Sequence, residues 1–306
     1  MKVLITGGAG YVGTELVKKL THSPAITEII IYDNLCNDNH NFFLGKHFSN
    51  PGKIRFVNGE ILDSRLLKKE LKGVHTVVHL AAKVTTPFAN IDPHFYEQVN
   101  HWGTAEVTYA IEESDVEKMI YLSSTSVYGA NTKPADESTI PSPATYYGVS
   151  KLRGEEHVRR VMEKKNAIIL RSGNVYGYSQ SMRFDAVINR FMFDANFANR
   201  IQIFGTGKQT RAFIHVDKLT KKISEVILNQ VSSGTYNLID KNLQIIELLD
   251  ALKIIYPSLE FIFSNQHMNL KELQVSSNGE LFKYISTLEK SDIVDELREF
   301  KSHFAY

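Results

Sequence analysis

Apolar residues in this chain gather in short unbroken runs, and between the runs they recur every third or fourth position. The runs fall at residues 3–6, 28–32, 54–58, 76–82, 118–123 and 167–171. Successive side chains of a strand point to opposite sides, so a run that is apolar throughout suits a parallel strand covered on both faces. Helical spacing occupies residues 11–20, 62–71, 96–113 and 145–165. Strand and helix therefore alternate, and with right-handed crossovers this predicts an α/β fold: a doubly wound parallel sheet with ligands at the carboxyl ends of its strands.

Beyond Arg171 the rhythm loosens. Helical patterns are expected at 184–197, 216–229, 243–256 and 288–304, and strands at 200–204, 212–216 and 259–263, with a turn at Gly205-Thr206-Gly207. Residues 34–53, rich in Asn, His, Gly and Pro, read as a loop with one helical turn. The expected organisation is a dinucleotide-binding part at 1–172 and a smaller α/β substrate part at 173–306, some of whose segments return to the first. No internal repeat, low-complexity tract or Pro/Ser-rich linker interrupts the chain, so the two parts are expected to pack closely.

Composition narrows the function. Across 306 residues there are 35 basic and 34 acidic side chains, a formal net charge of +1, and no long like-charge run. That balance gives no electrostatic case for nucleic acid or an anionic membrane surface. Cys36 is the one cysteine, so no internal disulfide can form. Met1-Lys2 leads directly into the first apolar run, and no run approaches the ~18 residues of a membrane span. The expectation is a soluble cytoplasmic protein.

The candidate chemistry begins where the first run ends. Gly7-Gly8-Ala9-Gly10-Tyr11-Val12-Gly13 joins a strand to a helix, and Asp33 closes the next strand. Glycines remove the Cβ atoms that would block close approach of a phosphate, and the helix start offers free N–H groups and a positive dipole end. Asp33 is placed to accept both hydroxyls of an adenosine ribose. Its charge would repel a 2′-phosphate by roughly 1 to 4 kcal/mol at about 4 Å, so the expected cofactor is NAD rather than NADP.

A second group lies at the end of the run 118–123. Ser124-Thr125-Ser126-Val127-Tyr128-Gly129 follows it, and the helix after opens Tyr146-Tyr147-Gly148-Val149-Ser150-Lys151. Tyr147 and Lys151 are four apart and share one helix face. An ammonium beside a phenol favours the phenolate, so Lys151 is expected to lower the Tyr147 pKa. Such a tyrosine can take an alcohol's proton while hydride leaves the same carbon for a nicotinamide, with a nearby serine holding the oxygen. A Tyr-x-x-x-Lys pair arises about once by chance in a chain with 14 tyrosines, so its place beside a dinucleotide crevice carries the weight.

These segments occur in one order with His79-Leu80-Ala81-Ala82, Arg171 with Asn174-Val175-Tyr176-Gly177, and Arg211 through Phe213-Ile214-His215-Val216-Asp217. Together they resemble the extended short-chain dehydrogenase/reductases, specifically the NAD-dependent epimerase/dehydratase family, over about residues 2 to 240. The resemblance implies a Rossmann domain that binds NAD. Gly7, Gly10, Tyr11, Val12 and Gly13 would hold the pyrophosphate, with Asp33 and Asn34 at the adenosine ribose and Glu60 and Ile61 by the adenine. Leu80, Ala81, Ala82, Lys83 and Asn100 would line the cofactor, and Lys151 would also hold the nicotinamide ribose. Tyr147 would be the acid/base and Ser124 its partner. Thr85, Ser124, Asn174, Asn189 and Arg211 would face a nucleotide-diphosphate sugar, Arg211 on its diphosphate. The two helices at 96–113 and 145–165 would form a four-helix homodimer contact.

The same resemblance separates reaction types. The family's dehydratases carry acids before Val-Tyr-Gly, and its decarboxylases keep a Glu there; this chain has Thr125 and Ser126. Family members that enolise a keto sugar place a Cys in this loop, whereas Cys36 lies elsewhere. Glu60 stands for a usual Asp, Tyr178 for a frequent Pro and Ala212 for the Asp that follows Arg211. Residues 181–191 resemble a bacterial branch that acts on nucleotide-linked sugars and heptoses for surface polysaccharides. The leading expectation is an NAD-dependent C4 epimerase. The alternatives are a one-way hexose or heptose 4-oxidase/reductase and a nucleotide-sensing module without chemistry.

Some residues have plainer readings. His75 and His79 have the spacing of a helical zinc pair, but Val77 and Val78 make the segment a strand, so no metal is expected. His215 reads as a structural hydrogen-bonding group. Ser123 and Thr125 could simply tighten their turn, and Arg211 could bridge the two parts of the chain.

Overall fold

The computed structural model describes residues 1–84, 93–131, 133–265 and 272–306. In chain order the elements are β1 (Lys2–Thr6), α1 (Tyr11–His22), β2 (Glu28–Asp33), β3 (Ile54–Asn58), α2 (Ser64–Glu70), β4 (Thr76–His79), α3 (Pro93–Tyr96), α4 (Gly103–Glu112) and β5 (Lys118–Ser124). There follow α5 (Tyr146–Met162), β6 (Asn166–Ser172), β7 (Asn174–Tyr176), α6 (Val187–Ala198), β8 (Arg200–Phe204), β9 (Thr210–His215) and α7 (Val216–Leu228). The last are β10 (Gly234–Leu238), β11 (Lys241–Gln244), α8 (Ile245–Ile255), β12 (Glu260–Ser264) and α9 (Ile293–Ser302). Seven strands form one parallel sheet in the order β10-β6-β5-β4-β1-β2-β3. Its connections reverse direction between β1 and β4, where such sheets open a crevice.

The apolar runs fold this way because they can divide their side chains between two layers. Val3, Ile5, Ile29, Ile31, Val78, Ile120 and Ile168 point to one face, against Leu16 and Leu20 of α1 and Leu219 and Ile223 of α7. Leu4, Ile30, Val77, Met119, Tyr121 and Ile169 point to the other, against Leu67 of α2, Val107 and Ile111 of α4, and Val158 and Val161 of α5. Burying each such side chain stabilises the fold by about 1.5–3 kcal/mol, so neither face can be left wet. Two small sheets, β11-β9-β7 and β12-β8, accompany α6, α8 and α9 around a further apolar cluster.

The structure departs from the pattern in instructive places. The run expected to end at 82 leaves the sheet after His79, and the chain beyond is fastened by Asn100 rather than by a strand. The helix expected over 96–113 is interrupted by a turn of π-helix, Glu97–Trp102, which apolar spacing does not distinguish from an ordinary turn. Asn100 lies in that wide turn and is fully buried. Three short strands escaped the reading: β7 has three residues, and β10 and β11 mix Thr235, Asn237, Lys241, Asn242 and Gln244 among their apolar positions. β10 pairs with β6, so a late segment completes the main sheet.

The final helix is held by a buried carboxylate. Glu296 accepts from Lys241 at 2.7 Å, from Lys218 at 2.9 Å, and from the hydroxyls of Tyr176 and Ser291. Burial alone would push its carboxyl up, but these hydrogen bonds bring it down from 4.5 to about 2. A depressed folded-state value means the stabilisation is complete above the unfolded value and is lost as pH falls through about 2. Glu296→Gln should therefore lower the unfolding free energy at pH 7 by about 3 kcal/mol. In urea titrations the gap to the wild type should close as pH falls from 4.5 towards 2. A gap that persists in full at the acid end would contradict this account.

Candidate active site

The crevice is built at the ends of β1, β2, β4 and β5. Gly7 has φ +69, and a Cβ there would lie 2.7 Å from the Ala81 backbone, so the turn can pass the 80–81 segment only as glycine. At Gly13 a Cβ would meet the carbonyl oxygens of Gly7 and Gly8 at 2.6 Å, which ties α1 tightly against the turn. Gly10 differs, since its nearest protein neighbour to an added Cβ is the Gly7 oxygen at 3.2 Å. The protein's own packing demands far less of this glycine. Gly10 is the N-cap of α1, makes no side-chain cap, and is followed by no acid in the first turn. An uncapped helix N-terminus behind a bare backbone is a fitting seat for a pyrophosphate.

Asp33 faces the same turn. Its two oxygens accept from the N–H groups of Ala9 at 3.0 Å and Leu35 at 2.9 Å. Burial raises its pKa more than these bonds lower it. Asn34 donates to Glu60 at 2.7 Å, and Ile61 is buried beside them. Tyr11 turns its side chain away from the turn and donates to the Gly177 carbonyl at 2.7 Å, joining α1 to the loop after β7.

The strip from Leu80 to Lys83 runs past the strand ends. Thr6 holds Leu80 through its backbone and Ala81 through its hydroxyl. The Asn100 amide takes both ends of Lys83, accepting from its N–H at 2.8 Å and donating to its carbonyl at 3.0 Å; it also donates to the Ser150 hydroxyl. Asn100 thus fixes the strip from behind. His79 is fully buried between the hydroxyls of Thr6 at 2.7 Å and Thr104 at 2.9 Å. Burial, with the nearby Lys151 charge, lowers its pKa to about 3, so it is neutral. Among the described residues no group of three His, Cys, Asp or Glu side chains is placed to hold a metal.

Across the crevice, a close approach of backbone brings the reactive groups together. The Thr145 hydroxyl caps α5 by accepting from Gly148. A Cβ at Gly148 would lie 2.7 Å from the Ser126 carbonyl, so the first turn of α5 presses on the turn after β5. This sets Tyr147 beside Ser124, whose hydroxyl favours the phenolate. The Ser124 hydroxyl in turn shares a 2.5 Å hydrogen bond with the Ser126 hydroxyl and accepts from the Ser126 N–H. Ser126 was not among the residues expected here, because a hydroxyl two positions on is no signal without the turn geometry.

The expected direction of the Tyr147 pKa is overturned. Burial raises it, and the Ser124 bond and the Arg183 charge lower it by less, so the net shift is upward. Lys151 is not among the groups that lower it. Burial has brought that amine down to about 7, with Glu155 acting weakly the other way. Spacing gave the pair but could not give its burial.

The substrate side is partly as expected. Asn174 is exposed at the start of β7 and donates to the Ala212 carbonyl. Arg211 is half-buried in β9, and burial lowers its pKa while Glu272 opposes. Asn189 is fully buried, accepts from Gly177 N–H and donates to the Arg183 carbonyl, so its amide ties the loop together. Arg183, which pairs with Asp185 at 2.8 and 3.1 Å and whose charge acts on Tyr147, was not anticipated. Thr85 lies outside the described residues. His215 accepts from Asp217 N–H at the start of α7, a structural role.

Residues 3–238 match the NAD dependent epimerase/dehydratase family. A putative UDP-glucose 4-epimerase of Methanocaldococcus jannaschii is 35% identical over 226 residues, covering 72% of this chain and 71% of that protein. The dTDP-D-glucose 4,6-dehydratase of Bos taurus is 31% identical over 244 residues, covering 78% and 67%. Among solved structures, UDP-glucuronic acid 4-epimerase from Bacillus cereus, in complex with UDP-glucuronic acid and NAD, superposes with a TM-score of 0.87. It is 23% identical and covers 99% of this chain and 98% of that one.

The contrast between two glycines gives a test. Gly10→Ala should leave the unfolding free energy within about 1 kcal/mol of the wild type and weaken NAD binding by about tenfold or more in calorimetry. Gly7→Ala should instead destabilise the protein by about 2 kcal/mol or more. Unchanged NAD affinity in Gly10→Ala would remove the phosphate from this turn.

Proposed function

This chain belongs to the NAD dependent epimerase/dehydratase family, and from that premise we propose that it is a nucleotide-sugar 4-epimerase. It is an NAD-dependent enzyme of the extended short-chain dehydrogenase/reductase type. In the proposed reaction one ring hydroxyl is oxidised to a ketone and then reduced from the opposite face. NAD, when bound, supplies the hydride acceptor and donor. Gly7, Gly10, Tyr11, Val12 and Gly13 would hold its pyrophosphate, Asp33 its adenosine ribose, and Lys151 the ribose at the reacting end.

The chain's own part is to hold the hydroxyl and move its proton. Tyr147 takes that proton during oxidation and returns it during reduction. Ser124 holds the same oxygen, and Ser126 holds Ser124. Ser124 and Arg183 are the groups that favour the phenolate against burial. Asn174 and Arg211 would meet the nucleotide sugar.

One observation favours epimerisation over elimination. The turn at 124–126 carries three hydroxyls, and among the described residues the polar groups bearing on the Tyr147 phenol are a hydroxyl and a guanidinium. Elimination of water needs an acid and a base at neighbouring atoms. Redox at a single carbon needs only the tyrosine. The same reading makes the protein a cytoplasmic homodimer serving polysaccharide assembly, with Trp102 and Tyr109, 56% and 44% exposed, on the shared face.

Tyr147→Phe should lower kcat by about 10² or more while NAD remains bound. Because the proton lost is on oxygen, deuterium at the inverted carbon should survive turnover in ordinary water. NMR of the product pool from a panel of nucleotide sugars reads both. An unchanged rate in Tyr147→Phe would remove the mechanism. Washout of the label would replace it with enolisation, and stoichiometric NADH with no second epimer would make the enzyme a one-way oxidase.

A further inference from the structure

Lys151 is buried at the floor of the site, and among the described residues its ammonium group has no free acid beside it. The carboxylate one turn along, Glu155, is already engaged by Arg171 at 3.0 and 2.7 Å, by Arg159 at 2.7 Å and by the Ser123 hydroxyl at 2.6 Å. What the amine does meet is a ring. Its Nζ lies 4.1 Å from the centroid of Tyr121, a fully buried residue of β5 three positions before Ser124. An ammonium over an aromatic face is attracted by the ring's negative quadrupole, and more strongly where water is excluded.

Two further features hold that ring. Tyr121 pairs in register with His79 of β4, whose imidazole stacks on it at 5.3 Å and 25°. That imidazole is neutral and fastened at both nitrogens, so it does not compete for the cation's place. Above the ring, α5 carries a glycine at 154, and a Cβ there would lie 2.5 Å from the Tyr121 hydroxyl and 2.9 Å from the Asn100 carbonyl. Glycine is unfavourable inside a helix. Here it leaves the space the Tyr121 hydroxyl occupies, one turn from the lysine.

We propose that Tyr121, seated by Gly154, is a positioning residue that fixes the Lys151 amine through a cation–π contact, one helical turn from Tyr147. Among the described residues the groups bearing on the amine are then Tyr121 on β5, His79 on β4 and Glu155 on α5, of which the ring is the one that holds it. This rests on the reading of Lys151 as part of the reaction site, but the contact itself is tested without turnover.

The experiment is an NMR titration of protein labelled with [13Cε]lysine, the Lys151 signal being identified by its loss in Lys151→Met. The wild-type midpoint should lie at about 7. Tyr121→Phe keeps the ring and should titrate within about 0.3 pH unit of the wild type. Tyr121→Met removes the ring and should lower the midpoint by about one pH unit. If Tyr121→Met fails to fold, mono- and trifluorinated phenylalanines at position 121 keep the shape and should lower the midpoint stepwise as the ring loses electron density. In the active enzyme the alkaline limb of the kcat profile, where the ammonium is lost, should move with the midpoint and be restored in Tyr121→Phe. Midpoints that do not respond to loss or fluorination of the ring overturn the proposal. Midpoints that respond in a protein that turns over no nucleotide sugar would uphold this contact and overturn the proposed function instead.

Discussion

A parallel sheet covered on both faces leaves water only at its edges and strand ends, and the rest of this structure follows from that constraint. Any charge carried into the sheet's carboxyl end must be satisfied inside the protein, because removing an ion from water without a partner costs several kcal/mol. Arg171 and Glu155 answer by pairing with each other and with Ser123, which fastens β5, β6 and α5 into one frame. His79 answers by staying neutral between two threonine hydroxyls. Lys151 has neither solution among the described residues, and its pKa falls towards neutrality.

That frame also explains how distant parts of the chain meet at one crevice. Asn100 reaches from its π turn to Lys83 and Ser150, so the strip beside the crevice and the helix that carries Tyr147 are set by the same amide. Tyr11 bridges from the glycine turn to Gly177, and Asn189 continues the bridge to Arg183. The glycine turn and the helix that carries Tyr147 are therefore positioned by buried polar groups. A family that includes epimerases and dehydratases can vary the short turn after β5 without disturbing this frame, and here the turn carries hydroxyls.

Much of this was legible in the sequence. The alternation of apolar runs and helical spacing gave six of the seven sheet strands, because burial on both faces leaves an unbroken apolar run. The glycine turn and Asp33 were readable because close backbone approach and a strand-end acid leave residue types that little else requires. Less visible was anything set by depth or by contact across elements. The upward shift of Tyr147 depends on burial, which a four-residue spacing does not encode. That the Asn189 amide joins Gly177 to Arg183 is likewise a contact across the loop that residue type alone does not reveal. β10 is short and mixed in polarity, so only its pairing with β6 reveals it as sheet.

The central claim is that a dinucleotide lies across the strand ends with its reacting end at Tyr147 and Lys151. A crystal structure of the protein grown with NAD tests it most directly. The account predicts density for the pyrophosphate at the Gly10 turn, the adenosine ribose at Asp33, and the nicotinamide facing the Tyr147 hydroxyl. A nicotinamide bound elsewhere, or a Tyr147 turned away from it, would contradict the account.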